Sequence, residues 1–440
     1  MSGGPGTDTI VAPATAPGRS AIAVVRIDGP DAVAIVEALA KREFEPRRAT
    51  HAVLGDGDAS IDDAVVVVYR APSSYTGNDL VEISLHGSAY LVGQLMGAMR
   101  RRGARLADPG EFTERAVLNG KLDLVQAESI VDLVDARTGL QARLSLRNLT
   151  GELSRAAESM RASLLDMISR FEAALDFADE GYEFIGHDEA EAALESLLRE
   201  VRGTAATWAR GHAIQAGLTA VILGLPNAGK STLLNFLCGT ERAIVTPLPG
   251  TTRDLLRETV DLGGLPVTFV DTAGLRETGD AIEEIGVGRA RDAAASADLI
   301  LYLIDATRGM TDEDRTEIGR LREPIAIFTK GDLAPGGEDA ISVLSGSGLE
   351  RLLGRLDEEV RARFATAEEA PTVVNERQRA AFESCAEALE AALVSVRGGA
   401  GEEIVVVDLR RAASALGSLT GAISTDEVLR EIFGRFCIGK

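Results

Sequence analysis

Gly224-Leu-Pro-Asn-Ala-Gly229-Lys230-Ser231 spells GxxxxGK[ST], between a strand-like run, Thr219–Leu223, and a helical pattern, Ser231–Leu237. Such a loop handles phosphate. Its glycines let backbone N–H groups curl around phosphate oxygens, where a helix N-terminus adds partial positive charge. Lys230 pairs with the outer phosphates in such loops, and the Ser231 hydroxyl takes a magnesium position. The strand–loop–helix context argues against the bland alternative, a Gly-rich turn before a helix.

Three companions follow in order. Asp271-Thr272-Ala273-Gly274 directly follows the run Val267–Val270. There Asp271 can hold magnesium through water, and the Gly274 N–H can reach a terminal phosphate. Thr329-Lys330-Gly331-Asp332 follows Ile325–Phe328. Asp332 can accept two hydrogen bonds from the N1–H and amino edge of guanine, which adenine does not offer, while the Lys330 stem lies along the base. Pro249-Gly250-Thr251-Thr252-Arg253-Asp254 supplies threonines for a switch loop. TKGD alone is a weak signal; four elements in this order point to GTP.

Two departures carry consequences. Thr329 stands where most GTPases have Asn. Its hydroxyl can bond locally but lacks the amide's paired donor and acceptor, so selectivity is expected to survive and affinity to fall. Leu275 follows DTAG, where Ras-like enzymes place a water-orienting Gln. The attacking water must then be handled from elsewhere, with Glu277, Asp280, Glu283 and Glu284 just downstream.

The elements that must position these residues are legible in outline. Thr219–Leu223, Val267–Val270, Leu299–Ile304 and Ile325–Phe328 are continuous aliphatic runs separated by helical stretches, as in a doubly wound parallel sheet spanning 217–365. The stretch 1–118 reads as mixed α/β, with strands at Ala21–Ile27, Ala64–Tyr69 and Leu80–Leu85 and helices at Asp31–Lys41 and Ser88–Arg101. Residues 119–216 and 366–440 are helical, with apolar stripes at Leu164, Ile168, Phe171 and Leu175 and at Phe382, Cys385, Leu389, Leu393 and Val396. Neither half is complete alone, so one bundle with the sheet domain inserted is the simplest packing. Ser424 and Glu427 spell a capping box for the last helix.

The chain has 440 residues and a formal net charge of −22, so a generic basic nucleic-acid coat is excluded. Arg100, Arg101, Arg102 and Arg105 form the densest basic cluster, open to two readings: a solvated helix C-terminus or an RNA contact. Cys238, Cys385 and Cys437 are too scattered for a disulfide framework or a zinc pattern, and the four histidines are equally dispersed. No signal-peptide spelling and no membrane-length apolar run is visible, so a cytoplasmic protein is expected. Gly286-Val-Gly288 with Arg291 fails as a dinucleotide fingerprint, so redox chemistry would come from a partner. The tail Cys437-Ile-Gly-Lys440 is a poor prenylation box, and the nearby Phe433, Phe436 and Ile438 argue for docking.

On these motifs, with DTIVAPATAPGRSAIAVVRIDG, SYTGNDLVEISLHG, PGEFTERAVLNGKLDLVQAESIVDLVDA and the terminal IFGRFCIGK, the whole chain resembles the MnmE (TrmE) family of tRNA modification GTPases. The resemblance implies an N-terminal α/β folate-binding and dimerisation domain, a central helical bundle and an inserted Ras-like P-loop GTPase domain. It implies a homodimer that works with tRNA and an FAD-containing partner, MnmG (GidA), in a heterotetramer or larger complex. Together they install an aminomethyl or carboxymethylaminomethyl group on carbon 5 of the wobble uridine. The one-carbon unit comes from a tetrahydrofolate, either the 5-formyl or the 5,10-methylene form.

The resemblance also assigns residues. GTP contacts carry over onto Asn227, Ala228, Gly229, Lys230, Ser231 and Thr232 of the phosphate loop. In the switch segment they fall on Thr246, Pro247, Leu248, Pro249, Gly250, Thr251 and Thr252. Asp271, Thr272, Ala273 and Gly274 follow, then Thr329, Lys330 and Asp332, and finally Ser342, Val343 and Leu344, where Val343 replaces the usual Ala. Magnesium falls to Ser231 and Thr252, and potassium to Asn227, Thr246, Leu248 and Thr251. Glu283 matches the glutamate that activates water, beside Lys230 as the other catalytic group. Folate contacts match Arg26, Glu82, Lys121 and Lys440, a chemically sensible set, since a pterin edge donates to a carboxylate and a glutamyl tail is anionic. Without the resemblance, Arg26 reads as an exposed strand residue and Lys121 as part of a solvated helix face. Two rivals stand beside this reading: a ribosome-assembly GTPase switch of the Era or Der type, and a GTPase scaffold whose folate site is vestigial.

Overall fold

The computed structural model describes residues 8–176, 185–240, 242–244, 257–270, 293–334, 340–364, 371–421 and 426–440. By internal contacts they fall into two compact units, one from residues 1–131, 148–187 and 394–440, the other from 132–147 and 188–393.

The first unit is built on a six-stranded sheet: β1 Ile10–Pro13, β2 Ile22–Asp28, β3 Thr50–Asp56, β4 Ala59–Tyr69, β5 Leu80–His86 and β6 Arg105–Leu106. The order is β3-β4-β5-β2-β1-β6, with only the β1–β6 pair parallel. Alternation along β2 explains the layering: Ala23, Val25 and Ile27 are buried, while Val24 and Arg26 lie on the other face. Helices Ala32–Ala40 and Ala89–Arg100 cover the apolar face with Val33, Val36, Leu39, Leu95 and Met99. The opposite face brings Arg26 and Glu82 into register as cross-strand partners. Strands β1 and β3 give little sequence signal: β1 has four residues, and in β3 the apolar run Ala52–Leu54 is only three residues long.

A buried ion network ties this sheet to the helix Glu111–Leu118. Arg115, 1% exposed, donates from Nη1 to Asp28 Oδ1 (3.1 Å) and from Nη2 to Asp8 Oδ1 (2.7 Å) and Glu111 Oε1 (3.0 Å). Burial pushes the Asp28 carboxyl up, against donation from Thr76, Asn78 and Arg115. For Glu111 burial acts the same way, but donation from Arg105, the Asp108 N–H and Arg115 prevails and holds the carboxyl low. The basic cluster is largely absorbed by such pairing. Arg101 and Arg102 both bind Asp56, and Arg105 binds Asp8 and Glu111. Three of its four cations thus have carboxylate partners, which counts against the RNA-contact reading.

Within the same unit the helix Glu152–Asp176 packs along Glu402–Thr420. Leu164, Ile168 and Phe171 are buried as their spacing predicts, and Leu175 is half-buried at the helix end. The C-terminal tail docks. Phe433 and Phe436 join Leu124 and Ala127 in one cluster, and a side chain at Gly439 would collide with the Pro13 carbonyl oxygen. Ile438 is 57% exposed and takes no part in that packing. The capping box at Ser424 lies outside the described residues.

The second unit holds β7 Leu218–Gly224, β8 Arg257–Leu262, β9 Leu265–Val270, β10 Leu299–Asp305 and β11 Ile325–Thr329. The order is β11-β10-β7-β9-β8, parallel except for β8, which is antiparallel to β9. All seven residues of β10 are buried, which is why the parallel strands read as unbroken aliphatic runs. The alternating β8, with Glu258 and Asp261 in it, gave no such signal. Helices Lys230–Cys238 and Leu349–Phe364 contribute Leu233, Leu237, Leu352, Leu356 and Val360 to the core. Phe382, Cys385, Leu389, Leu393 and Val396 are all buried along Glu376–Arg397, where burial pushes the Cys385 thiol up to about 12.

Arg115→Met should cost about 3–5 kcal/mol in urea unfolding, because it leaves the Asp28 carboxylate buried without its cation. Glu111, with its lowered pKa, contributes stability above the ordinary carboxylate range and loses it as the pH falls through that lowered value. Asp28, with its raised pKa, works oppositely and favours the fold when protonated. Acid titration of Glu111→Gln should therefore show a shallower loss of stability than wild type.

Candidate functional site: a phosphate loop and an N-terminal cavity

In an open α/β sheet, ligands meet the loops at the carboxyl ends of the parallel strands. The phosphate loop leaves β7 at Gly224, and TKGD begins at the last residue of β11. The strand β10 runs between them, pairing Leu303 with Gly224 and Asp305 with Thr329. Gly224 has φ 143°, and any side chain there would strike the Leu303 carbonyl oxygen. Only glycine fits. Asn227 also takes a left-handed backbone, φ 63°, which asparagine tolerates better than most residues. Its side chain is exposed, Ala228 is fully buried, and Ser231 and Thr232 are exposed on the first turn of Lys230–Cys238. Lys230 Nζ donates to the carbonyls of Gly224 (2.8 Å) and Leu225 (3.0 Å), which holds the ammonium inside the curl of the loop.

A buried hydroxyl joins phosphate loop to base loop. Thr329 Oγ1, on a residue 5% exposed, lies 2.8 Å from Ala228 O and 3.2 Å from Ile304 O. Thr329 thus spans from the phosphate loop to the adjoining strand with one donor, where an amide would have two. Lys330, at φ 58°, donates from Nζ to Asp305 Oδ2 at 2.7 Å. Burial raises the Asp305 carboxyl, but donation from Lys330 and Thr307 outweighs it and holds the pKa at about 2. Asp305 is therefore ionised throughout the neutral range. Gly331 N donates to Ile341 O (3.0 Å) and Ile341 N to Phe328 O (2.8 Å), bringing the 341–348 segment beside TKGD. A cavity of about 360 Å³ opens there, lined by Gly331, Asp332, Ser345, Ser347 and Arg351 among others. Ser342 is buried and its Oγ accepts from Ser345 N at 3.2 Å. Val343 packs against the sheet core rather than lining this cavity, and Leu344 is 86% exposed.

The first unit carries a larger cavity, about 610 Å³, lined by Arg47, Tyr69, Ser73, Ser74, Tyr75, Leu80, Glu82 and Lys121. Glu82 Oε1 accepts from Arg26 Nε (2.8 Å) and Nη2 (2.7 Å), so both are half-buried rather than exposed. The Arg26 guanidinium sits 5.6 Å from the Tyr75 ring centre. Burial, then the Glu82 charge, raises the Tyr69 phenol, and burial raises Tyr75, whose hydroxyl is 2.9 Å from Thr113 Oγ1. Lys121 is exposed on the turn between two helices, not on a helix face, and its Nζ donates to Pro72 O at 3.2 Å. Lys440 is half-buried beside the docked Gly439 but is not among the lining residues.

Residues 9–121 match the family described as the GTP-binding protein TrmE N-terminus, and residues 124–437 match the MnmE helical domain. The tRNA modification GTPase MnmE of Moorella thermoacetica is 39% identical over 464 aligned residues, covering 98% of this chain and 99% of its own. Its counterpart in Beijerinckia indica subsp. indica is 42% identical, covering 98% and 96%. The chain belongs to the MnmE (TrmE) family. Among solved structures, the G domain of the T. maritima FeoB iron transporter is similar to 32% of this chain and 97% of that one, at 26% identity and a TM-score of 0.24.

For an MnmE-family chain, the described structure brings Asn227 to Thr232 and Thr329, Lys330 and Asp332 to one edge of the sheet. The positions Thr246 to Thr252, Asp271 to Gly274 and Glu283 lie outside the described residues. Arg26, Glu82 and Lys121 gather at the N-terminal cavity. Sequence reasoning missed Asp305 and Arg47. The first had a signal, a lone carboxylate ending the aliphatic run LILYLID; the second had none.

Thr329→Val should weaken guanine-nucleotide binding about tenfold, since losing a buried donor costs about 1–2 kcal/mol. Thr329→Asn should bind at least as well as wild type. Fluorescent-GDP titration reads both, and unaffected binding by Thr329→Val would show that the Thr329 hydroxyl does not set the spacing of the two loops.

Proposed function

We propose that this MnmE-family GTPase is the potassium-dependent, GTP-hydrolysing subunit of a complex that modifies the wobble uridine of tRNA. The observation that carries the nucleotide part is the placing of phosphate loop and TKGD loop at strand ends on either side of β10, joined by the Thr329 hydroxyl. That placing sets the distance between phosphates and base, so a guanosine polyphosphate can be gripped at both ends.

In this reading the loop N–H groups and Lys230 neutralise the phosphates, and Asp332 selects guanine. Glu283 takes a proton from water as it attacks the terminal phosphorus, and the bond from that phosphorus to the GDP oxygen breaks. Ser231, exposed on the first helical turn, and Thr252 would hold magnesium, which supplies charge neutralisation between the outer phosphates. The exposed Asn227 amide is a hard oxygen donor suited to potassium, with Thr246, Leu248 and Thr251 completing the set. The cation would supply the positive charge that an arginine finger supplies elsewhere. A homodimer is proposed, with the paired GTPase domains closing over their nucleotides.

The cavity at Glu82 is proposed to take a reduced folate as one-carbon donor: the carboxylate faces the pterin's donor edge, and Arg26 orients that carboxylate. An FAD-containing MnmG partner would supply the redox step on tRNA. The cytoplasm is the proposed location; among the described residues no helix is long and apolar enough to cross a membrane. The Era or Der alternative is not favoured, because the relatives align through both flanks, over 98% of this chain.

GTP turnover in potassium against sodium, for wild type and Glu283→Ala, tests the core of this. Wild type should turn over far faster in potassium, and the variant should lose about 100-fold or more, as for loss of a general base. Equal rates in both salts would end the cation mechanism, and an undiminished variant the base assignment. For the folate site, Arg26→Ala should abolish calorimetric binding of 5-formyltetrahydrofolate; no binding to wild type would favour the vestigial-site scaffold.

A further inference from the structure

Resting on the folate reading of the N-terminal cavity, we infer that Arg47 is a second anion-binding arm of that site, which together with Lys121 selects ligands carrying several carboxylates on their tail.

Arg47 has a left-handed backbone, φ 60°, an uncommon conformation for a side chain of this size. It is held there by flanking pairing: Pro46 bridges to Val68, and Arg47 N donates to Val68 O at 2.8 Å. Such conformations persist where the surroundings over-determine them, and they cluster at ligand clamps. Here the result is to aim a guanidinium at the cavity. Arg47 Nη2 donates to Ser73 O at 3.1 Å, and Lys121 Nζ donates to Pro72 O at 3.2 Å. The two cations are thus anchored on consecutive carbonyls of one loop, at the same side of the cavity mouth. Both lean only on neutral partners.

The charge balance of the lining points the same way. Glu82 is its one carboxylate, and that charge already faces Arg26 at 2.7 Å. Two cations are left at the rim in a chain whose net charge is −22. The rings of Tyr69 and Tyr75 line the same cavity as the Glu82 carboxylate that a flat heterocycle would bond to. The cavity therefore combines aromatic rings and one proton-accepting carboxylate with two cations anchored on the Pro72–Ser73 carbonyls. A ligand with a planar donor-edged ring and only the two adjacent carboxylates of a monoglutamate tail can satisfy Lys121 with one and leave the other in water. A tail bearing three or more carboxylates engages both arms, and Arg's fork can take one of them bidentately.

Calorimetric titration of the full chain with the mono- and triglutamate forms of 5-formyltetrahydrofolate tests this at low and high salt. Wild type should bind the triglutamate about tenfold more tightly at low salt, with the gap shrinking at high salt, because rim charges are screened. Arg47→Asn removes the cation yet suits the left-handed backbone, so the fold is retained. It should lose most of the preference for the triglutamate while changing monoglutamate binding less than about twofold, within what an exposed unpaired cation contributes. Arg47→Lys should restore part of the preference. Wild-type preference persisting in Arg47→Asn overturns the role of Arg47 and leaves the folate reading standing. Binding of neither form by wild type overturns both.

Discussion

The nucleotide site depends on a single buried contact, the Thr329 hydroxyl against the Ala228 carbonyl. A phosphate loop is useful only if its distance to the base loop is fixed, because the ligand spans both. The parallel register β11-β10-β7 sets that distance coarsely, and the hydroxyl sets it finely. The neighbouring Lys330 ammonium is likewise held in place, by Asp305, which stays ionised across the neutral range. The Thr329 contact is buried, so loss of its hydroxyl would leave the Ala228 carbonyl without compensation.

The N-terminal unit meets a different constraint. One face of its sheet is packed by two helices, and the other combines a small apolar cluster of Ile10, Ala12, Leu80 and Phe112 with charged residues that must be held in place. Pairing does this. Arg26 and Glu82 sit directly across from one another on β2 and β5, and the Arg115 network anchors the sheet to the following helix. The network's worth lies in geometry more than in net stability, since a buried ion pair roughly repays its desolvation. Around the cavity at Glu82, Arg47 and Lys121 rest on the carbonyls of Ser73 and Pro72.

These two sites share a logic. In each, the sheet carries the fixed groups, and a positively charged arm is held by backbone carbonyls or a single carboxylate. Such arms are inexpensive to redirect. Lys230 against Gly224 and Leu225 and Lys121 against Pro72 donate from an ammonium to uncharged carbonyls, and a phosphate or carboxylate is the stronger acceptor.

Much of this was legible in the linear chain. The phosphate loop, the guanine motif and the four parallel strands were all visible, because a buried parallel strand must be apolar throughout and a phosphate loop needs glycine at set places. The antiparallel β8 was not, since Glu258 and Asp261 on a half-exposed edge strand break the aliphatic run. The cationic cluster at Arg100–Arg105 looked like a surface for phosphates; folding instead brought Asp56 and Asp8 to its members from distant parts of the chain, and Glu111 from the helix that follows. Arg47 and Asp305 acquire meaning only from what lies beside them. Local pattern determines which segments become strands, helices and loops, because periodicity and backbone sterics act between near neighbours. Which charges end up paired, and which face a cavity, is decided by long-range register, and no short window of residues contains that information.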